Sequence, residues 1–378
     1  MRKLIFILTL IPLFIFSQQT KDVLFVGNSY TFYNDLPEMV KQIALSFGDT
    51  LNYESSTPGG ASFGMHATNT TTISKINQQV WDYVVLQAQS QEPSLSTNYV
   101  NTNVYPAVQS LIDIIENNST CIDPMFFMTW GRKYGDASNC APWPPVCTYL
   151  GMQQQLRLRY LDFSFTHDAS CSPVGMAWKE SISQDSTLNL YSPDNSHPSV
   201  YGTYLSACTF YASIFKNSPL GTTYIPNGID TVTASFLQDI ASNTVLDSLS
   251  IWNIFNADFT YNQIGDSVSF MNLSSNYESV VWDFGDGQVS IDENPLHTYD
   301  FPGTYTVTLS VFTNDSCVSE TVSSEINLSF STSIPTINVE KKIIRITDIL
   351  GRKTLFKKNT LLYYLFDNGE VEKKIVIE

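Results

Sequence analysis

Four apolar residues, Val23-Leu24-Phe25-Val26, end abruptly at Gly27-Asn28-Ser29. An unbroken apolar run suits a strand buried on both faces, which is the situation in a parallel sheet covered by helices. The polar residues after it predict a turn into a helix. Leu36, Met39, Val40, Ile43, Ala44 and Phe47 then fall at helical spacing and predict an amphipathic helix. Asn34 or Asp35 is its expected N-cap and Gly48 its expected C-cap. A second strand is expected at Leu51–Ser55. Further apolar runs lie at Tyr83–Leu86 and Met125–Trp130, with a weaker one near Val174–Trp178. Helices are predicted over 103–117, 149–165, 199–215 and 231–249. This alternation predicts a parallel sheet with helices on both faces.

Open α/β sheets place their chemistry at the carboxyl ends of the strands, where Ser29 stands. Far downstream lies Asp194-Asn195-Ser196-His197-Pro198. A serine hydroxyl needs an adjacent general base to act as a nucleophile, and His197 is the candidate. Asp194, three residues earlier, can accept its Nδ1–H and fix the tautomer. Pro198 suits the first turn of the next helix. The plainer alternative is that Ser192-Pro193-Asp194-Asn195-Ser196 is a surface turn ahead of that helix. Three other histidines compete, His66, His167 and His297, the last of them in a β-rich region. Donors for a developing oxyanion are expected from Pro58-Gly59-Gly60-Ala61, after the second strand, and from the Gln87 amide, after the third. An ordinary loop and a polar strand end are the competing readings of these two.

Met1 to Ser17 open with Arg2 and Lys3 and continue with an apolar stretch, Leu4 to Phe16. That layout predicts a secretory signal peptide over residues 1–17. No later segment is long and apolar enough to span a bilayer, so no transmembrane span is expected in the mature chain. A formal charge of −16 argues against a nucleic-acid partner, which would require a basic face. Six cysteines in an exported chain permit disulfides. The expected bridges are Cys140–Cys147 and Cys121–Cys171, although four cysteines allow three pairings. A zinc site lacks any CxxC pair, and four scattered histidines offer no ligand cluster, so neither metal nor cofactor is expected.

The texture changes from Ala257 to Phe330. Val/Thr/Phe/Tyr alternations at Ser267–Met271, Ser279–Phe284, Gly303–Phe312 and Thr321–Leu328, split by turn residues, predict an all-β sandwich. No Lys or Arg occurs between Lys216 and Lys341, whereas Glu340 to Glu378 holds nine Lys/Arg against six Asp/Glu. The charge shift marks a further boundary. The tail predicts short strands with turns at Asp348–Gly351 and Asp367–Gly369.

Gly27-Asn28-Ser29, the block-two glycine, an amide residue after the third strand and Asp194-x-x-His197-Pro198 together resemble the SGNH (GDSL-type) hydrolases. The resemblance covers roughly residues 21–216, within an expected domain of 21–253. It implies a three-layer α/β/α fold of flavodoxin-like order and an esterase or deacylase site. Ser29 would be the nucleophile, His197 the base and Asp194 its orienter. The oxyanion hole would combine the Ser29 N–H, the Gly60 (or Gly59) N–H and an amide side chain. The family's third block, Gly-x-Asn-Asp, is replaced here by Leu86-Gln87-Ala88-Gln89, so Gln87 or Gln89 would stand in for the asparagine.

Trp282-Asp283-Phe284-Gly285-Asp286-Gly287, Glu293-Asn294-Pro295, His297-Thr298-Tyr299 and Gly303–Leu309 resemble a PKD domain, expected over 256–330. That is an immunoglobulin-like sandwich in which His297 and Trp282 are fold residues. Its acids Asp283, Asp286, Asp292 and Glu293 are better suited to a solvated turn than to calcium, lacking the EF-hand spacing. The segments Ile343–Arg352 and Leu365–Val376 resemble the type A sorting domain of type IX secretion, expected over 334–378. That implies a Bacteroidetes-type source, the type IX machinery as partner, and a secreted or surface-attached product. The function expected on these grounds is a secreted esterase acting on an acylated carbohydrate or small ester, chiefly by deacetylation. A non-catalytic surface glycan-binding protein or adhesin, and a lipid or aryl esterase, are the alternatives.

Overall fold

A computed structural model describes residues 18–314, 317–329 and 341–377. The expected signal peptide, residues 1–17, lies outside them, as does the start of the expected sorting domain. Five strands, β1 (Thr20–Val26), β2 (Thr50–Ser56), β3 (Tyr83–Leu86), β4 (Asp123–Phe127) and β5 (Ser170–Ser172), form one sheet in the order β2-β1-β3-β4-β5. All their pairings are parallel. The helices are α1 (Ser29–Phe32), α2 (Leu36–Ser46), α3 (Phe63–Thr68), α4 (Thr70–Ile76), α5 (Thr97–Asn103) and α6 (Tyr105–Asn118). After them come α7 (Tyr149–Thr166), α8 (Val174–Gln184), α9 (Val200–Phe215) and α10 (Thr231–Leu246). This is the three-layer α/β/α architecture of flavodoxin-like order.

The unbroken apolar runs are explained by two cores, one on each face of the sheet. Val23, Phe25, Val85 and Phe127 pack with residues of α2, α8, α9 and α10. Their neighbours Leu24, Val26, Val84, Leu86 and Phe126 pack with residues of α3, α4, α6 and α7. Side chains alternate along a strand, so a strand with apolar neighbours on both faces must be apolar at every position.

Three local expectations are corrected. The weak apolar run at Val174–Trp178 is the first turn and a half of α8; Val174, Ala177 and Trp178 share its buried face. The strand is Ser170-Cys171-Ser172, just before it. Asn34 and Asp35 both adopt left-handed backbone angles, φ +53° and +55°, and neither side chain caps α2. Asn34 Nδ2 instead donates to the Pro198 carbonyl (3.3 Å) and Thr203 Oγ1 (2.8 Å). Finally, Cys140–Cys147 is a disulfide, but Cys171 is a buried free thiol, so Cys121 is bridged elsewhere. Cys171 belongs to β5, and its side chain is fully buried in the core with Phe126, Leu156 and Phe163.

Residues 259–328 form two antiparallel sheets. β6 (Phe259–Ile264), β7 (Ser267–Asn272) and β10 (Leu296–Thr298) make one. β8 (Ser279–Asp283), β9 (Val289–Ser290), β11 (Gly303–Asn314) and β12 (Cys317–Leu328) make the other. Trp282 is fully buried between them, and the His297 ring stacks on Phe284 at 3.9 Å and bonds Asp286 Oδ2 at 2.8 Å. The chain divides into two compact units, 1–328 and 329–378. The second contains β13 (Ile343–Thr347), β14 (Leu362–Phe366) and β15 (Val371–Lys374), with Leu362, Tyr364 and Phe366 buried. Among the described residues no helix is long and apolar enough to cross a membrane.

Candidate active site

Strand β1 ends at Val26, and Gly27 and Asn28 turn the chain so that Ser29 opens α1. Gly27 is required by a close approach. A Cβ there would meet Gln87 Oε1 at 2.7 Å and collide with Thr31 Oγ1. Asn28 is fully committed to holding the turn. Its Oδ1 accepts the Tyr30 N–H (3.1 Å), and its Nδ2 donates to the carbonyls of Ala61 (2.9 Å) and Ala88 (3.3 Å). The ends of three strands are thereby tied together beneath one serine.

Ser29 Oγ lies 2.8 Å from His197 Nε2. His197 Nδ1 bonds Asp194 Oδ2, and Asp194 Oδ1 accepts the N–H groups of Ser196 (3.0 Å) and His197 (2.9 Å). Desolvation pushes the Asp194 carboxyl upward but is outweighed by these three hydrogen bonds, so it lies below the usual carboxylate range. An ionised Asp194 accepts the Nδ1–H and so orients the ring with Nε2 towards the serine. The three residues singled out from the sequence, separated by up to 168 positions, therefore meet in one hydrogen-bonded chain.

Aromatic rings hold the histidine loop in place. Trp130 stacks on Trp178 at 3.9 Å and on Tyr30 at 4.6 Å. Tyr33 stacks on the His197 ring itself, also at 4.6 Å. Trp130 Nε1 donates to the Ser196 carbonyl at 3.0 Å, and the Tyr30 hydroxyl bonds Ser196 Oγ at 2.6 Å. Ser192 N–H donates to the His197 carbonyl at 2.8 Å, closing the loop on itself. Trp130 and Trp178 are buried core residues.

The proposed oxyanion donors separate on inspection of their hydrogen bonds. The Ser29 N–H, in the first position of α1, has no intrahelical acceptor and donates to no group among the described residues. Gly60 sits at φ +71° in an exposed turn closed by the Ala61 N–H on the Pro58 carbonyl (3.1 Å). That turn is anchored beside Ser29 through the Ala61 carbonyl and Asn28. Gln87 is fully buried and faces inward. Its Oε1 accepts the Asn28 N–H (2.8 Å) and Thr31 Oγ1 (2.9 Å), and Nε2 donates to Asn28 Oδ1 (2.9 Å) and the Ala88 carbonyl. Both amide hydrogens are used, so Gln87 has none to offer a substrate. Gln89 is half-buried; its Oε1 holds the Gln91 and Glu92 N–H groups, and its Nε2 makes one long bond at 3.4 Å.

His66 was not legible as part of this site. It is fully buried, with Nε2 2.8 Å from the Gly27 carbonyl and Nδ1 3.0 Å from Thr72 Oγ1. A carbonyl only accepts, so Nε2 carries the proton and Nδ1 accepts from Thr72. Burial holds its pKa below the usual histidine range against the pull of the Gly27 bond, so the ring is a neutral strut under the Ser29 turn. His167 and His297 lie elsewhere. His167 lines a cleft of about 630 Å³ at the opposite, amino-terminal edge of the sheet, together with Tyr83, Asp123 and Lys216. No group of three His, Cys, Asp or Glu with metal-ligand geometry occurs among the described residues.

Fold and site together define an α/β/α protein with a Ser-His-Asp chain at the carboxyl edge of its sheet, joined to a β-sandwich. Residues 260–328 match the PKD domain family, and this sandwich is a PKD domain. The PKD1 domain of the Vibrio cholerae metalloprotease PrtV is 38% identical, covering 20% of this chain and 96% of that one, with a TM-score of 0.19. A DUF4886 family protein from Bacteroides uniformis shares the fold of the larger domain. It is 17% identical, covers 60% of this chain and 95% of that one, and has a TM-score of 0.51. A candidate SGNH hydrolase from Slackia heliotrinireducens is 21% identical over 51% of this chain and 97% of its own, with a TM-score of 0.42.

Proposed function

We propose that the larger domain is a serine ester hydrolase that removes acyl groups, chiefly acetyl, from carbohydrate. The observation that carries this reading is the Ser29–His197–Asp194 chain, with the Ser29 hydroxyl 2.8 Å from an imidazole oriented by a carboxylate. Ser29 Oγ attacks the ester carbonyl as His197 Nε2 takes its proton; His197 then passes that proton to the departing alcohol. Water, deprotonated by the same nitrogen, releases the acid from the acyl-enzyme. The oxyanion is held by the N–H groups of Ser29 and Gly60, with Gln89 Nε2 rather than Gln87 as the third donor.

Support for a sugar comes from a pocket of about 270 Å³ lined by Lys133, Tyr134, Tyr149, Asn189 and Tyr191. It adjoins the histidine loop, since the Lys133 N–H donates to the Asn195 carbonyl at 3.0 Å. Tyrosine faces beside amide and hydroxyl groups suit a saccharide ring better than a long acyl chain. The second reading, a glycan-binding protein without turnover, draws on Gln87, whose inward commitment removes one expected oxyanion donor. The Ser29–His197 contact argues against it, because binding alone requires no such pair. We also propose export, through residues 1–17 and a type IX sorting tail; the PKD domain and the Cys140–Cys147 disulfide fit an extracellular setting.

Release of p-nitrophenol from its acetate and octanoate esters, by the full chain and its Ser29→Ala variant, tests the assignment. Acetate turnover that vanishes in the variant is expected. A preference for octanoate would move the substrate to lipids, and turnover equal to that of the variant would favour the binding protein.

A further inference from the structure

The chain leaving β4 meets the histidine loop at two points. Trp130 Nε1 donates to the Ser196 carbonyl, and the Lys133 N–H donates to the Asn195 carbonyl, each at 3.0 Å. Arg132 lies between these anchors, so its backbone is pinned against the segment that carries His197. Lys133 Nζ has a partner in Asn189 Oδ1 at 3.0 Å. The Arg132 guanidinium makes neither hydrogen bond nor ion pair among the described residues, and its Nε is buried without an acceptor.

An arginine cannot escape this situation by losing its proton. Arg132 is half-buried, and its Nε–H is left unsatisfied away from water, which is costly and calls for an acceptor. The acid nearest in sequence, Asp136, does not supply it. Asp136 Oδ2 accepts from Gln91 Nε2 and Asn139 Nδ2, each at 2.6 Å, and Oδ1 accepts the Ser138 N–H at 3.1 Å. The positive field of Arg132 does reach the Asp136 carboxyl and the Tyr30 phenol, and Tyr30 is the residue next to the nucleophile. Arg132 is thus an unpaired cation whose backbone is pinned to the histidine loop, in a chain whose formal charge is −16.

We propose that Arg132 is an anion-recognition point beside the histidine loop, selecting ester substrates whose sugar carries an oxyanion: a carboxylate, a sulfate or a phosphate. A planar guanidinium with free donors matches all three, and binds them in a bidentate manner that an ammonium cannot copy. The inference rests on the esterase reading of the same site and deepens it, from acylated carbohydrate to acidic acylated carbohydrate.

The test is titration calorimetry on the full chain carrying Ser29→Ala, where no turnover disturbs binding. The ligands are acetylated methyl glucoside, the matching glucuronoside, and the 6-sulfate and 6-phosphate of the glucoside. The expected result is that at least one anionic member binds about tenfold or more tighter than the neutral sugar. Which one does so identifies the oxyanion. Adding Arg132→Gln should bring that ratio to about one, and Arg132→Lys should retain part of it. If Arg132→Gln does not fold, the ratio in the lysine variant decides. Equal affinity across the series, a preference that survives the substitution, or binding by none of the ligands overturns the inference. Acetate release by the wild-type chain is measured separately. Its absence would count against the esterase reading while leaving the anion preference intact.

Discussion

His66 shows what a single residue does here without touching substrate. It donates to the Gly27 carbonyl and, through Thr72 Oγ1, reaches Ser56 Oγ at 2.8 Å, linking the ends of β1 and β2. Replacing it by phenylalanine keeps a ring but leaves a buried carbonyl and a buried hydroxyl short of partners. The expected cost is about 1–3 kcal/mol of stability, with a fall in the proposed esterase turnover as the Ser29 turn loosens. A thermal melt beside the p-nitrophenyl acetate assay checks both, and an unchanged melt would show that the strut carries no load. Ser29, Asp194 and His197 were legible in the sequence because each sits in a local pattern: a strand end, or an acid three residues before an imidazole. His66 was not, because its partners are a backbone carbonyl and a threonine in other elements. Gln87 was legible in place but not in direction. Its amide turns inward to satisfy the Asn28 N–H, a demand that appears only once β1 and β3 lie side by side.

At the scale of elements, the apolar strands and amphipathic helices of the larger domain could be located because burial on two faces leaves unbroken runs. Strand β5 could not, since Ser170-Cys171-Ser172 is short and polar and the apolar residues just after it belong to α8. Likewise β6, Phe-Thr-Tyr-Asn-Gln-Ile, is largely exposed and carries no apolar stripe. The β4–β5 pairing has its own electrostatic signature. Asp123 accepts the Ser170 N–H (3.1 Å) and Oγ–H (2.6 Å) across the two strands. Desolvation nonetheless pushes its carboxyl up to about 6, against the pull of those bonds. The folded state therefore holds a proton that the unfolded chain releases near its ordinary carboxylate value, so this group's contribution to stability falls as pH rises from about 4 to about 6. Asp123→Asn should remove that slope. The variant should gain on the wild type across this interval, which paired melts at several pH values would register; a parallel pair of curves would refute it.

Across the whole of residues 1–328, the larger domain and the PKD domain are joined by a buried ion pair. Lys216, the last basic residue before Lys341, bonds Glu320 of β12 and donates to the Tyr83 hydroxyl at 2.9 Å. Desolvation works against its charge, but Tyr83 and Glu320 together raise its pKa above the usual lysine value. Glu320→Gln would strand that charge, at an expected cost of roughly 3–5 kcal/mol, whereas an apolar pair at both positions should be close to neutral. Denaturant unfolding of the single and double variants distinguishes the two, and a single variant as stable as the wild type would contradict the role. The β-rich domain at 260–328 was legible from texture, yet this contact was not, since nothing in the local sequence pairs residues 216 and 320. The central claim is that Ser29 is an activated nucleophile, and mapping the adduct of a fluorophosphonate probe by peptide mass spectrometry tests it most directly. The account predicts a single label on Ser29, absent in Ser29→Ala and slowed by roughly 10³-fold or more in His197→Ala. An unlabelled chain, or a label on another serine that persists in Ser29→Ala, would contradict it.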